Sequence, residues 1–122
     1  MIAPPNHGAD IADVFATQKI IKPFLGPNVA LMMTDSFSYT NHLPMSGNSE
    51  VGIITGIRGG RKGFSPLIEG DNDGLIKPEH TLLGTEKEAV RIHDEHTRLT
   101  QNPRVIKMVI GFLKDGTFMM EK

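Results

Sequence analysis

Five residues limit the fold more than any others: Val51-Gly52-Ile53-Ile54-Thr55, a β-branched run bounded by Gly47-Asn48 on one side and Gly56 on the other. A short apolar run without polar alternation is what a strand buried on both faces of a parallel sheet looks like. Such a strand needs parallel neighbours and covering helices, so the chain should be α/β. The 13 glycines and 8 prolines among 122 residues keep the elements short. Met1 to Ala3 reads as a strand end, Pro4-Pro5-Asn6-His7-Gly8 as a turn, and Ile11, Val14 and Phe15 as one face of a helix. Residues 23 to 49 carry Pro23, Gly26, Pro27, Pro44 and Gly47 around a short apolar patch, Val29 to Met33, and read as loop with short helical pieces. Glu88-Ala89-Val90-Arg91-Ile92 suggests a second, weaker strand. Asn102 should cap a closing helix that has Pro103 in its first turn and Val105, Ile106, Val109, Ile110 and Leu113 on one side, stopping at Lys114-Asp115-Gly116. The order strand, helix, strand, strand, helix points to α/β with a parallel sheet.

The length suits one domain. Thirteen basic against fourteen acidic side chains give no field that would recruit nucleic acid or an anionic membrane. With no cysteine, the chain has no disulfide, thiolate metal site or thiol nucleophile. Its apolar stretches fall well short of the ~20 residues that span a bilayer, and Met1-Ile2-Ala3-Pro4-Pro5 lacks a basic leader. A soluble, cytoplasmic protein without a cofactor is expected.

Chemistry gathers in two places. Glu69-Gly70-Asp71-Asn72-Asp73-Gly74 offers Asp71 or Asp73 as a carboxylate on a turn, and His93-Asp94-Glu95-His96 offers His93 or His96 as an imidazole ahead of the closing helix. An acid followed by a histidine is the tail of the Ser-Asp-His order. The hydroxyl that should precede them is missing, because Ser36, Ser38, Ser46, Ser49 and Ser65 all lack a G-x-S-x-G setting. A calcium loop would need its glycine at position six and a glutamate at position twelve, but counting from Asp71 those places fall elsewhere, with Leu82 at the twelfth. The two histidines also miss the i, i+4 helical spacing of a zinc motif. Arg58-Gly59-Gly60-Arg61-Lys62-Gly63 lacks the Lys-Ser/Thr pair of a phosphate loop and reads as a solvated surface loop, and His7, His42 and His80 read as solvated or merely hydrogen-bonded side chains.

Taken in series, Ala3-Pro4-Pro5-Asn6-His7-Gly8-Ala9-Asp10, Val51-Gly52-Ile53-Ile54-Thr55-Gly56, Asn72-Asp73-Gly74-Leu75-Ile76 with Glu79-His80-Thr81, His96-Thr97, and Asn102-Pro103-Arg104-Val105-Ile106 with Gly111-Phe112-Leu113 resemble the C-terminal half of bacterial lipase-like α/β-hydrolases. The resemblance implies a partial α/β-hydrolase fold over residues 1 to 122, with a lid-like or irregular insertion at 22 to 49. It selects Asp73 as the acid, from the Asn-Asp-Gly turn, and His96 as the base, from its place before the terminal helix. The implied activity is carboxylic ester hydrolysis through a Ser-Asp-His triad that lacks its serine here, so the chain alone should be inactive. Its substrate would be a small-molecule or lipid ester, once the missing half is supplied. On this reading the Val51–Thr55 strand has lost the neighbour that carries the nucleophile, and its open edge invites self-association. Two other readings stay open: a nucleophile-less binding or scaffold subunit, and a self-standing small α/β domain.

Overall fold

A computed structural model describes residues 1–19, 23, 26–44 and 47–118. The segment 22–49, expected to be an insertion, therefore lies partly outside the described residues, as does Ser46. The β-branched run forms strand β1 (Gly52–Ile57), which pairs in parallel with β2 (Glu88–His93), from Gly52 opposite Glu88 to Ile57 opposite His93. A third extended segment joins on the other side of β1. Ala3 N–H donates to the Ile54 carbonyl at 2.7 Å, and Ile54 N–H donates to the Met1 carbonyl at 3.0 Å, giving a parallel bridge at Ile2. β1 therefore has neighbours at both edges, and its Ile53 and Ile54 side chains, on opposite faces, are fully buried. This corrects the expected location of the open edge. The bridge leaves the Ile2 N–H and C=O facing away from β1, so among the described residues the open edges belong to Met1–Ala3 and to β2 rather than to β1.

Helix α1 (Asp10–Thr17) starts with Asp10 and Asp13 in its first turn, where acidic side chains complement the helix dipole. Its buried residues are Asp10 and Ala12, whereas Ile11, Val14 and Phe15 are only half-buried. Ile11 packs against a small buried cluster of Ala9, Ala12 and Ile76, and Ile11 and Phe15 also border a cleft. Helix α2 (Asn28–Leu31) and a 3-10 turn (Tyr39–His42) follow. Between the strands, the single-turn helix α3 (Pro78–Thr81) has Pro78 at its start. A second single-turn helix, α4 (His96–Leu99), precedes the long α5 (Pro103–Asp115).

Both ends of α5 follow from its sequence. Asn102 Oδ1 accepts the Arg104 N–H at 2.9 Å, and Gly116 turns left-handed (φ 69°) while its N–H closes on Phe112 O at 2.8 Å. Its buried face does not follow as simply. Val105, Met108 and Gly111 are buried, but Ile106, Ile110 and Leu113 are 45%, 48% and 79% exposed. The helix packs through Val105 and Met108 into a core with Ala3, Ile54, Ile92, Leu99 and Phe118. Glu88 secures the end of the described chain. Its carboxylate accepts the Phe118 N–H at 2.6 Å and the Thr117 hydroxyl at 2.5 Å, and these bonds, the Phe118 one foremost, hold its carboxyl below the ordinary value.

Because β1 and β2 are parallel, the segments that leave their C-terminal ends emerge side by side. One carries the Asp71–Gly74 turn and the other carries His96. No helix among the described residues is long and apolar enough to cross a membrane.

Candidate active site

The Asp71–Gly74 turn is held by its middle residue. Asn72 is fully buried; its Oδ1 accepts the N–H groups of Ser65 (2.9 Å) and Gly74 (3.0 Å), and its Nδ2 donates to the carbonyls of Ser65, Ile68 and Gly70 at 3.1 to 3.3 Å. Backbone this tightly bent needs Gly74, which sits at φ 106°, a region that side chains disfavour. The sequence gives no sign that Asn72 is buried, since an Asn in a turn is usually exposed.

The two acids of the turn part company. Asp71 accepts the N–H groups of Arg58 (2.9 Å) and Gly59 (3.1 Å), closing the loop that leaves β1. Asp73 turns inward and is 1% exposed. Its Oδ1 accepts Leu75 N–H at 3.0 Å and Ile76 N–H at 2.8 Å, and its Oδ2 lies 2.8 Å from His96 Nδ1. A backbone bond from His96 N–H to Asp73 O, also 2.8 Å, fixes the two residues a second time. The close approach requires a small residue beneath. A Cβ on Gly56 of β1 would stand 2.7 Å from Asp73 Cβ and from Asp94 O.

His96 opens α4, and the preceding Asp94 is tied to the α5 cap by a bond from Asn102 Nδ2 at 2.8 Å. Thus Asn102 both caps α5 and steadies the segment carrying the imidazole. His93 is elsewhere: it ends β2 and meets the Phe64 ring edge-on, with centroids 5.6 Å apart. Of the four candidates, the structure joins Asp73 to His96 and sets Asp71 and His93 apart. It also places His96 on a helical turn rather than in a loop.

An ionised carboxylate can only accept a hydrogen bond, so in the neutral ring Nδ1 carries the proton and Nε2 keeps its lone pair. The His96 side chain is 28% exposed and lies at the meeting of two cavities. One, of about 290 Å³, is lined by Phe64, Ser65, Glu95 and Thr97 together with Asp73 and His96. The other, of about 330 Å³, is almost wholly apolar, with Ile11, Ala12, Phe15, Val29, Met32 and Leu75 in its walls. Among the described residues no hydroxyl hydrogen-bonds His96. Ser65 lines the first cavity, but its Oγ accepts the Leu67 N–H at 3.3 Å.

A second carboxylate–imidazole pair joins Asp10 to His80, which nothing in the sequence links. Asp10, 7% exposed, accepts His80 Nδ1 at 2.9 Å and Lys77 N–H at 2.7 Å through Oδ2. With the Ile11 N–H to Leu75 O bond at 3.0 Å, it staples the start of α1 to the segment just after Asp73. No local signal pairs residues 70 positions apart. His7 is likewise engaged, with Nδ1 2.9 Å from Asn41 Oδ1. Among the described residues no group of three or more His, Asp or Glu side chains could hold a metal ion.

No protein-family model, curated protein or solved structure matches this chain.

Proposed function

We propose that Asp73 and His96 are the acid and base of a Ser-Asp-His triad for carboxylic ester hydrolysis, carried on the C-terminal part of an α/β-hydrolase fold. One observation bears most of the weight: a fully buried carboxylate, already satisfied by two backbone N–H groups, holds the imidazole by Nδ1, in a ring that lines a cavity. This is the relation that a serine hydroxyl requires. Its proton must pass to Nε2 as its oxygen attacks the ester carbonyl, and the imidazolium then returns that proton to the departing alcohol, leaving an acyl-enzyme that water cleaves by the reverse transfers. The apolar cavity beside His96 suits the acyl chain.

The attacking hydroxyl, on this reading, comes from outside these 122 residues. Two experiments follow. The 122-residue chain should hydrolyse p-nitrophenyl butyrate no faster than an equal concentration of free imidazole. Joined to the coding sequence directly upstream of Met1, which should encode a G-x-S-x-G elbow, it should gain ester hydrolysis that D73N or H96A removes. An upstream sequence without an elbow, or a joined chain without activity, would sink the proposal. Ser65 offers a second reading, because it lines the cavity that holds His96. In that case the 122-residue chain itself turns over ester, and S65A stops it.

A further inference from the structure

The loop that reads in sequence as a solvated basic surface walls the largest of the cavities around the site. Arg58, Arg61 and Lys62 line a cleft of about 620 Å³ together with Glu69, the one carboxylate in its wall. Among the described residues none of the three cations makes an ion pair: the Asp71 carboxylate is occupied by the backbone N–H groups of Arg58 and Gly59, and the Arg58 guanidinium donates to the Gly63 carbonyl at 3.1 Å. A chain of net charge −1 therefore gathers excess positive charge around one concave surface. Low-dielectric walls concentrate such a field and draw in anions.

The cleft also continues into the site. Phe64 and Ser65 line both it and the 290 Å³ cavity, and His96 lines both that cavity and the apolar one. The three form a series: apolar groove, imidazole, polar cavity, cationic cleft. Asn72 makes the arrangement rigid, because it binds Ser65 through both its N–H and its C=O, and Gly63 lies so close to Asn72 that an added Cβ would stand 2.0 Å from Nδ2.

We propose that the cleft walled by Arg58, Arg61 and Lys62 is an anion subsite, which takes a phosphate or carboxylate group on the alcohol side of the ester while the acyl side occupies the apolar groove. The assignment to the alcohol side rests on the hydrolase reading. Anion binding itself does not.

The test is the ³¹P linewidth of inorganic phosphate titrated with the 122-residue chain at low ionic strength. The line should broaden saturably, and the affinity should fall about tenfold or more in R61E/K62E, by less in R61Q/K62Q, and little in R104E/K114E, which alters a separate basic surface on α5. Arg61 and Lys62 are exposed, so these changes leave the core intact. Acetate that displaces phosphate at equal concentration would identify the anion as a carboxylate, and acetate that does not would identify it as a phosphate. Absence of saturable broadening, or equal losses in R61E/K62E and R104E/K114E, would overturn the subsite. H96A should bind phosphate normally. A chain that binds no phosphate yet keeps the His96 Nδ1–H bonded to Asp73 would end the subsite and leave the hydrolase reading in place.

Discussion

Asp73 Oδ2 and His96 Nδ1 lie 2.8 Å apart across 23 residues of chain, one following β1 and the other following β2. Their meeting depends on the parallel register of the two strands and on the Gly56 gap beneath Asp73. The pair is thus a product of the fold rather than of local sequence.

Burial makes Asp73 costly to disturb. Truncation in D73A strands the N–H groups of Leu75 and Ile76 and the imidazole together, and should lower stability by about 3 kcal/mol. D71A, which frees only the exposed N–H groups of Arg58 and Gly59, should cost about 1 kcal/mol or less. Urea unfolding of the two variants measures the difference, and equal costs would mean that Asp73 has no special place.

Glycines beneath the site should divide by what stands above them. G56A forces a methyl against Asp73 and Asp94 and should cost about 2 to 3 kcal/mol, shifting Asp73 relative to His96. G60A faces open space and should change stability by less than about 0.5 kcal/mol. Thermal denaturation of both variants checks the contrast.

Glu88 gives the fold a dependence on acid. Its folded-state carboxyl is held below the ordinary 4.5 by bonds from Phe118 and Thr117, so its contribution is fully present above that value. It is lost as the pH falls through the lowered one. Wild type should lose stability across that window, and E88Q should lose less over the same range. Parallel acid titrations would refute this if the two curves kept a constant separation.

Exposed apolar surface should drive self-association. Ile106, Ile110 and Leu113 recur along the outer side of α5, and the Met1–Ala3 segment has an open edge. Sedimentation velocity should show concentration-dependent oligomers that I110K/L113K diminishes. Wild type that remains monomeric at high micromolar concentration would contradict this and favour a self-standing domain.

Much of the architecture is legible in residue pattern because each such signal is local. The β-branched run at 51 to 55 could bury only as an interior strand, and Asn102-Pro103 with Gly116 marked both ends of α5 by capping chemistry alone. The single-turn helices at Pro78 and His96 were not legible, because four residues contain no period to read. Periodicity also misjudged α5. Its apolar residues cover more than one face, and only contact with Ile54 and Leu99 decides that Val105 and Met108 go inward while Ile110 and Leu113 do not. At the site, Asp73 is chosen over Asp71 only by the resemblance of its Asn-Asp-Gly turn, whereas the burial of Asn72 and the Asp10–His80 staple depend on contacts that only the folded chain creates.

The most direct measurement is the ¹⁵N spectrum of the His96 imidazole at a pH where the ring is neutral. If Asp73 orients a general base, Nδ1 carries the proton and Nε2 has the shift of an unprotonated nitrogen, and D73N redistributes the proton between the two. A wild-type ring protonated on Nε2 could not receive a proton from an attacking hydroxyl, and that result would contradict the proposed role of the pair.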